Sequence, residues 1–303
     1  MTDFPAPSRS STPRSFAPPY ARQALMSDDA HGRAQLWRLA ASVGLAAALM
    51  MLGGILWGFA LVFAGAQFDI EAGATTAAQM LGLLYFFAFM SLGVVIAAKL
   101  LHARGPRSLI GPQALEQGLR AVVWVAPVYL LYMAMPMPEG MELLRSDLPL
   151  GTWARLLPFA VLGVFIQVSA EEIAFRGFLQ SQLAARFSSR WVWMVLPSLA
   201  FGALHYDAAA GAGAYLIVAW AAVFGLIAAD LTARSGSLGP AIALHFTHNM
   251  GLVYASMQHD LSGLSLYYVP VRLSDVGQIL PLMVAELAVI LVAWLAARVG
   301  LRR

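Results

Sequence analysis

Two adjacent carboxylates and an arginine stand in an otherwise apolar part of the sequence. Glu171, Glu172 and Arg176 follow shortly after the stretch "LLPFAVLGVFIQV", which has the composition of a membrane span. A charge at membrane depth costs several kcal/mol unless it is paired or faces a water-filled cavity. The three residues therefore favour a functional site.

The spacing of these residues predicts a division of roles. Glu172 and Arg176 are four residues apart with the acid first, which is the favourable order for a helical ion pair. Glu171 lies about 100° further round the helix and is less well placed to share the arginine. We therefore expect a structural Glu172–Arg176 pair and a separate, available acid at Glu171. The alternative is a buried network of all three residues that serves packing alone.

Two later apolar segments carry imidazole and amide groups. In "FGALH", Phe201 and His205 are four residues apart, and in "HFTHN" the same spacing separates His245 from Asn249, with His248 as a rival for His245. Residues four apart share one face of a helix. A lone histidine at a helix end is usually interfacial, and buried His and Asn often only bridge helices. Three polar segments in one apolar chain favour a common site instead.

Such a set of side chains can hydrolyse a bond in two ways. A carboxylate can take a proton from water while one imidazole orients that water, and a second imidazole with an amide can stabilise an oxyanion. Alternatively, Glu171, His205 and His245 could bind zinc as three ligands and leave a fourth position open. The sequence is compatible with zinc and with a metal-free glutamate mechanism.

The composition places these motifs in a membrane protein. Of the 303 residues, 60% are hydrophobic and only 12% are charged, about half the charged fraction of a soluble domain. We predict an all-α polytopic transmembrane helix bundle. The net charge of +3 is explained by basic residues that flank spans, so no nucleic-acid partner is expected. Without cysteine, disulfides, thiol catalysis and Cys-ligated zinc are excluded.

The chain divides into a tail and a membrane domain. Residues 1–35 are rich in Ser, Pro, Ala and Arg and predict a disordered cytoplasmic tail, whereas 36–303 form the membrane domain. Apolar runs predict about eight spans, near Leu39–Phe63, Ala78–Leu101, Leu119–Met135, Leu156–Leu179, Trp191–His205, Ala214–Leu231, Pro240–Met257 and Gln278–Val299.

The distribution of basic residues sets the expected orientation of the termini, and the position of the turn after the fourth helix sets the expected depth of two site residues. Basic residues cluster before the first span, after the second and at the chain end, so the positive-inside rule puts both termini in the cytoplasm. If the fourth helix continues past Gln180 and turns near 187–189 into the fifth, Glu171 and His205 lie equally far from the turn. We therefore expect both side chains at a similar depth.

The three motifs together resemble the CPBP family of CAAX-processing and bacteriocin-processing membrane proteases, also called Abi-type proteins. That family carries Glu-Glu-x-x-x-Arg, then Phe-x-x-x-His, then His-x-x-x-Asn, and this sequence matches all three in order. The match covers about Leu156–Met257, so the catalytic core is expected at about 150–257. Matching residues are Glu171, Glu172, Arg176, Phe201, His205, His245 and Asn249.

This resemblance implies an intramembrane endopeptidase that cleaves membrane-associated proteins or peptides, a class that includes lipidated ones. It implies Glu171 as the base that activates water, with His205 beside it, and His245 with Asn249 at the oxyanion. Glu172, Arg176 and Phe201 are implied as supporting residues. The family is often labelled metalloprotease, and a metal-free glutamate mechanism is proposed for it as well. A bacterial inner membrane is the expected location.

Two other functions are compatible with the same residues. A non-catalytic immunity or scaffold protein would retain the motifs for structure. A proton-coupled transporter would use Glu171, Glu172 and Glu286, the last being an intramembrane acid outside the motifs. Asp230 lies near the end of the sixth span and is interpreted as interfacial.

Overall fold

The structure is a computed structural model, and it describes residues 19–65, 76–137, 140–257 and 263–302. Within these ranges the chain is almost entirely helical, which confirms the predicted all-α polytopic bundle. The main helices are α1 (Leu36–Phe63), α2 (Ala77–His102), α3 (Ala114–Met133), α4 (Leu150–Glu172), α5 (Leu196–Ala203), α6 (Gly213–Ser235), α7 (Gly239–Tyr254) and α8 (Val276–Leu301). A short helix, Pro106–Ile110, precedes α3.

Six helical stretches in the described residues are long and apolar enough to cross a membrane, and they contain α1, α2, α3, α4, α6 and α8. The other two predicted segments are shorter. The helical stretch Trp191–Ala203 is apolar but falls below span length, and α7 has 16 residues, about 24 Å of helix. A hydrocarbon core is about 30 Å thick. The protein is thus a multi-pass membrane protein, while the count of eight spans and the cytoplasmic termini stay predictions.

Helix α1 shows the environment of the bundle most directly. Its large apolar side chains point outward, with Phe63 at 88%, Phe59 at 60% and Val62 at 59% exposed. A water-soluble protein rarely exposes such a continuous apolar surface. Helix α1 therefore lies against lipid and packs chiefly on α2.

The main core is built by side chains of α3, α5, α6, α7 and α8. Its largest buried cluster contains Val125 of α3, Phe201 of α5, Phe224 of α6, Leu244 of α7 and Ile290 of α8. The three sequence motifs are carried by helices of this core. It is therefore the core that positions the polar residues.

The fourth helix is longer than the predicted Leu156–Leu179. After α4 the chain continues as a π-helix over Ile173–Gln180 and as an α-helix over Ser181–Arg186. Residues 187–189 are not helical, and the helical stretch that begins at Trp191 leads into α5. The predicted continuation past Gln180 and the turn at 187–189 are confirmed.

The N-terminal segment, residues 20–33, differs from the predicted disordered tail. It forms three short helical turns, Ala21–Gln23, Ala24–Ser27 and Asp28–Arg33. The segment is held by polar contacts: Gln180 donates to the Gln23 side chain at 3.0 Å, and Arg104 donates to the carbonyl of Met26 at 2.8 Å. Polar contacts of this kind do not require a periodic pattern of apolar residues, so they cannot be recognised from the sequence. Residues 1–18 of the predicted tail lie outside the described residues.

Asp230 joins three parts of the chain and is more than an interfacial residue. Its carboxylate accepts hydrogen bonds from Tyr20 at 2.8 Å, from Trp294 of α8 at 2.9 Å and from Arg234 at 2.8 Å. Burial and the bond to Asp230 raise the pKa of Tyr20. The carboxylate thus fixes the N-terminal segment to α6 and α8.

A small sheet lies at the end of α7, where strand β1 (Leu144–Arg145) pairs antiparallel with β3 (Tyr267–Val269) and β2 (Ala255–Met257) pairs parallel with β3. The predicted seventh span, Pro240–Met257, is therefore wrong at its last residues. Pairing with β3 draws residues 255–257 out of the helix.

Helices α3 and α7 approach so closely that their contact requires glycine. A methyl group added to Gly239 would overlap the carbonyl oxygen of Ala114, and one added to Gly118 would lie 3.2 Å from the carbonyl oxygen of Gly239. Small residues at such crossings are typical of membrane helices. This contact fixes the start of α7, and with it the position of His245 and Asn249.

Replacing Gly239 by alanine should therefore destabilise the protein by about 1–3 kcal/mol, as overpacking does. A matched control is Gly44→Ala in α1, where an added methyl meets nothing within 4 Å. There alanine should be neutral or stabilising by about 0.5–1 kcal/mol. Thermal unfolding in detergent measures both. A melting temperature of Gly239→Ala at or above that of the unmodified protein would contradict the close contact.

Candidate active site

Glu172 lies at the centre of the buried polar network. Its oxygen Oε1 accepts a hydrogen bond from Nη1 of Arg176 at 3.0 Å and another from Nδ1 of His245 at 2.8 Å. The three side chains are only 0%, 2% and 6% exposed. The helical ion pair that the spacing predicts is present, and it also holds His245.

Arg176 is satisfied on its other side by helices α6 and α5. Its Nη2 donates to the carbonyl of Gly225 at 3.2 Å, and its guanidinium lies 4.5 Å from the ring centroid of Phe201. Arg176 itself sits in the π-helix Ile173–Gln180. Such turns are rare and frequent at functional sites. The arginine therefore couples α4 to both neighbouring helices.

Glu171 has a different environment from Glu172. Its Oε1 accepts from Gln167 at 2.8 Å. Its Oε2 is buried, finds no hydrogen-bond partner among the described residues, and faces Nε2 of His245 at 3.6 Å. No hydrogen bond or ion pair joins it to Arg176 within the described chain. One carboxylate oxygen of Glu171 is thus available for chemistry beside an imidazole.

Asn249 belongs to the same network through Gln167. Its Nδ2 donates to Oε1 of Gln167 at 2.8 Å, and Gln167 in turn donates to Glu171. The structure thus brings Glu171, His245 and Asn249 together around one polar centre. Sequence reasoning missed Gln167, although a glutamine four residues before Glu171 in an apolar span is a usable signal.

His205 lies at the exposed edge of this centre. Its ring lies against that of Phe201 at a tilt of 49° with centroids 4.6 Å apart, and its Nδ1 donates to the carbonyl of Phe201 at 2.8 Å. Phe201 separates it from His245, whose ring centroid is 6.2 Å from that of Phe201. Among the described residues, no hydrogen bond or ion pair connects His205 to Glu171. The hairpin is formed as predicted, and the similar depth of the two side chains stays a prediction.

The side chains do not assemble the zinc set that the sequence suggests. Within the described ranges, no group of three or more His, Asp or Glu residues is arranged to hold a metal ion. His245 and Glu171 face one another, whereas His205 stands apart on Phe201. The residues as arranged do not fit a three-ligand zinc site.

A second aromatic residue that sequence reasoning missed borders the site. Phe224 of α6 lies with its ring centroid 4.6 Å from that of His245 and 6.1 Å from that of Phe201. The apolar walls formed by these two rings lower the local dielectric, which strengthens the polar contacts inside.

The fold and the site together define a class: a multi-pass helical membrane protein with a buried carboxylate–imidazole centre built from α4 and α7. Residues 153–251 match the family described as "Type II CAAX prenyl endopeptidase Rce1-like". This stretch contains all three sequence motifs, and the family resemblance stated from those motifs is confirmed there. The chain is also 26% identical over 242 residues to "Uncharacterized protein YyaK" of Bacillus subtilis (strain 168), an alignment that covers 73% of this chain and 78% of that protein.

The ion pair makes a prediction about stability. Replacing Arg176 by methionine leaves the Glu172 carboxylate buried without its cation, which should cost about 3–5 kcal/mol of unfolding free energy. Adding Glu172→Gln to the same chain removes the uncompensated charge and should restore part of the loss. Chemical or thermal unfolding of purified protein in detergent measures both effects.

The matched control is Arg120→Met, which breaks the exposed pair with Glu116 at 2.6 Å, where the side chains are 61% and 54% exposed. That change should cost no more than about 1 kcal/mol. Equal losses for Arg176→Met and Arg120→Met would contradict the central role given to the buried pair.

Proposed function

We propose that the protein is an intramembrane endopeptidase in which Glu171 activates water to hydrolyse a peptide bond. The observation that carries this proposal is the Glu171 carboxylate: one oxygen is buried, unpartnered among the described residues and 3.6 Å from His245. The same carboxylate lies inside the stretch that matches a family of endopeptidases. An acid kept available at such cost is typical of catalysis.

In the proposed reaction Glu171 first takes a proton from a water molecule, and the resulting hydroxide attacks the carbonyl carbon of the scissile bond. The tetrahedral intermediate carries the negative charge on the former carbonyl oxygen. Glu171 then gives its proton to the leaving nitrogen, and the carbon–nitrogen bond breaks. The products are a carboxylic acid and an amine, and Glu171 returns to its starting state.

The neighbouring residues have separate roles in this scheme. Because Oε1 of Glu172 also accepts from Arg176, the hydrogen between Glu172 and His245 belongs to Nδ1 of His245, and Nε2 faces the reaction centre. The second hydrogen of the Asn249 amide is available for the oxyanion, since Gln167 takes only one. We assign the oxyanion to Asn249 and to the doubly protonated form of His245, in which Nε2 donates as well as Nδ1. Gln167 aligns Glu171.

His205 and Phe201 form the edge through which substrate approaches. Because Nδ1 of His205 donates to the Phe201 carbonyl, its Nε2 is the accepting nitrogen of the neutral ring. An accepting imidazole at the exposed edge can orient the attacking water as it enters with the substrate. We assign that role to His205.

The substrate class is a membrane-associated protein or peptide presented from the bilayer. A lipidated substrate fits the location of the site, and a prenylated CAAX tail is the lipidated class that the family description names. We place the protein in a bacterial inner membrane. Zinc bound by Glu171, His205 and His245 is the alternative activator, but these three side chains do not meet as a ligand set among the described residues.

Replacing Glu171 by glutamine keeps the shape of the side chain and removes the base, so cleavage should fall by a factor of about 10² to 10⁴. Mass spectrometry of newly formed N-termini in membranes, compared with the unmodified protein, measures the loss. The same variant should retain bound substrate for capture.

The control for this experiment is Glu116→Gln, an exposed carboxylate in the first turn of α3, which should leave cleavage unchanged. A non-catalytic scaffold makes the opposite forecast for Glu171→Gln, namely full biological function. Normal cleavage by a correctly folded Glu171→Gln protein would therefore refute the proposal that Glu171 activates water for peptide hydrolysis.

Metal content distinguishes the two activators. A glutamate mechanism predicts that the purified, active protein holds far less than one zinc per chain and keeps its activity after dialysis against a chelator. Elemental analysis and a cleavage assay on the same sample provide the measurement. One zinc per chain, lost together with activity on chelation, would establish the metal mechanism instead.

A further inference from the structure

A second polar cluster surrounds His248, one turn of α7 from His245. The His248 ring lies with its centroid 5.0 Å from that of Trp220 on α6 and 5.8 Å from that of Tyr129 on α3. Its Nδ1 is 3.7 Å from Oε2 of Glu286 on α8. Four helices thus direct polar side chains to one place in the apolar bundle. The catalytic scheme uses none of them.

Three atoms of this cluster are buried without a hydrogen-bond partner among the described residues: the hydroxyl of Tyr129, Nε1 of Trp220 and Oε2 of Glu286. Buried polar groups in native proteins are almost always paired, and exceptions call for an explanation. Leaving such a group unsatisfied is destabilising. Three of them around a single imidazole indicate a partner other than the described residues.

The chemistry of the three atoms identifies that partner. The Trp220 N–H can only donate, the Tyr129 hydroxyl can donate, and a carboxylate oxygen of Glu286 accepts. A ligand that satisfies them must offer an acceptor and a donor close together. A peptide group offers both, with its carbonyl oxygen and its N–H.

The cluster adjoins the proposed catalytic centre. Phe224 contacts both imidazoles, with its ring centroid 4.6 Å from that of His245 and 6.0 Å from that of His248. His245 and His248 are three residues apart on α7, which is about 4.5 Å along the helix axis. An extended peptide advances about 3.3–3.6 Å per residue, so one or two residues of substrate would span the distance between the two imidazoles. A substrate held at Glu171 therefore reaches this cluster with its own main chain.

We propose that Tyr129, Trp220 and Glu286, arranged around His248, form a substrate subsite that binds a main-chain peptide group beside the scissile bond. The inference rests on the proposed function, because it assigns the cluster to the same substrate. Sequence specificity is not needed for such a contact, since every residue but proline offers the same two groups.

Two substitutions test the subsite. Trp220→Phe and Tyr129→Phe each remove one hydrogen-bonding atom and keep an aromatic ring. The substrate is a synthetic peptide copied from a membrane protein whose cleavage Glu171→Gln abolishes. Each variant should raise KM about five- to twentyfold and change kcat less than about threefold. Because the Tyr129 hydroxyl has no hydrogen-bond partner among the described residues, the melting temperature of Tyr129→Phe should be unchanged or higher. Trp220→Phe also loses ring volume, so KM alone decides its outcome.

The matched control is Trp57→Phe. Nε1 of Trp57 donates to the carbonyl of Gly82 at 2.8 Å, so its partner is within the protein and far from the site. This variant should show the reverse pattern, a lower melting temperature and an unchanged KM. If Trp220→Phe and Tyr129→Phe behave like Trp57→Phe, the atoms serve folding and the subsite is refuted.

The experiment separates failure of the subsite from failure of the enzyme. Cleavage that persists in Glu171→Gln overturns the proposed function before the subsite is measured. Cleavage that Glu171→Gln abolishes, with KM unchanged in both aromatic variants, overturns the subsite alone. Glu286→Gln adds a third arm: it keeps one acceptor oxygen, so its KM should rise less than that of Glu286→Leu.

Discussion

One carboxylate oxygen, Oε1 of Glu172, accepts from both Arg176 and His245 in an environment that excludes water. Three ionisable groups in such surroundings are tolerable only because each is paired, since desolvation of an isolated charge would cost far more than packing returns. Arg176 extends this pairing to the Gly225 carbonyl and the Phe201 ring. Through that single oxygen the positions of α4, α5, α6 and α7 depend on one another. Oε2 of Glu171 can lack a hydrogen-bond partner among the described residues because Glu172, not Glu171, balances the charge of Arg176.

Helix α6 supports the centre without supplying a motif residue. It is the most buried of the six apolar spans: 61% of its apolar 18-residue segment is buried inside the protein, against 6% for α1. Its carbonyls at Gly225 and Ala229 accept from Arg176 and Gln180, which are likewise four residues apart. Two hydrogen bonds, about one helical turn apart, thus join α6 to the π-helix Ile173–Gln180. Every sequence provides backbone carbonyl acceptors, so the amino-acid sequence of α6 does not reveal that it supports the site.

Much of this arrangement could be predicted from the sequence, and the limits have physical causes. Local spacing determines the Glu172–Arg176 pair, and the gap between the fourth and fifth apolar segments locates the hairpin at 187–189, because both depend on residues that are near in sequence. The separation of His205 from Glu171 could not be predicted, since equal depth along two helices does not fix the rotation of either. The order of residues 20–33 depends on partners such as Asp230 that are remote in sequence. Strand β2 ends α7 early only because β3 is available to pair with it.

The contact between Tyr20 and Asp230 links positions 210 residues apart, and this separation affects how the chain is made. At a synthesis rate of about 5–20 residues per second, on the order of 10 to 40 s pass between the two residues on the ribosome. Trp294, which binds the same carboxylate, is made later still. The N-terminal segment therefore cannot complete its docking until α6, and then α8, has been made. Until then an incomplete chain leaves this segment without its partners.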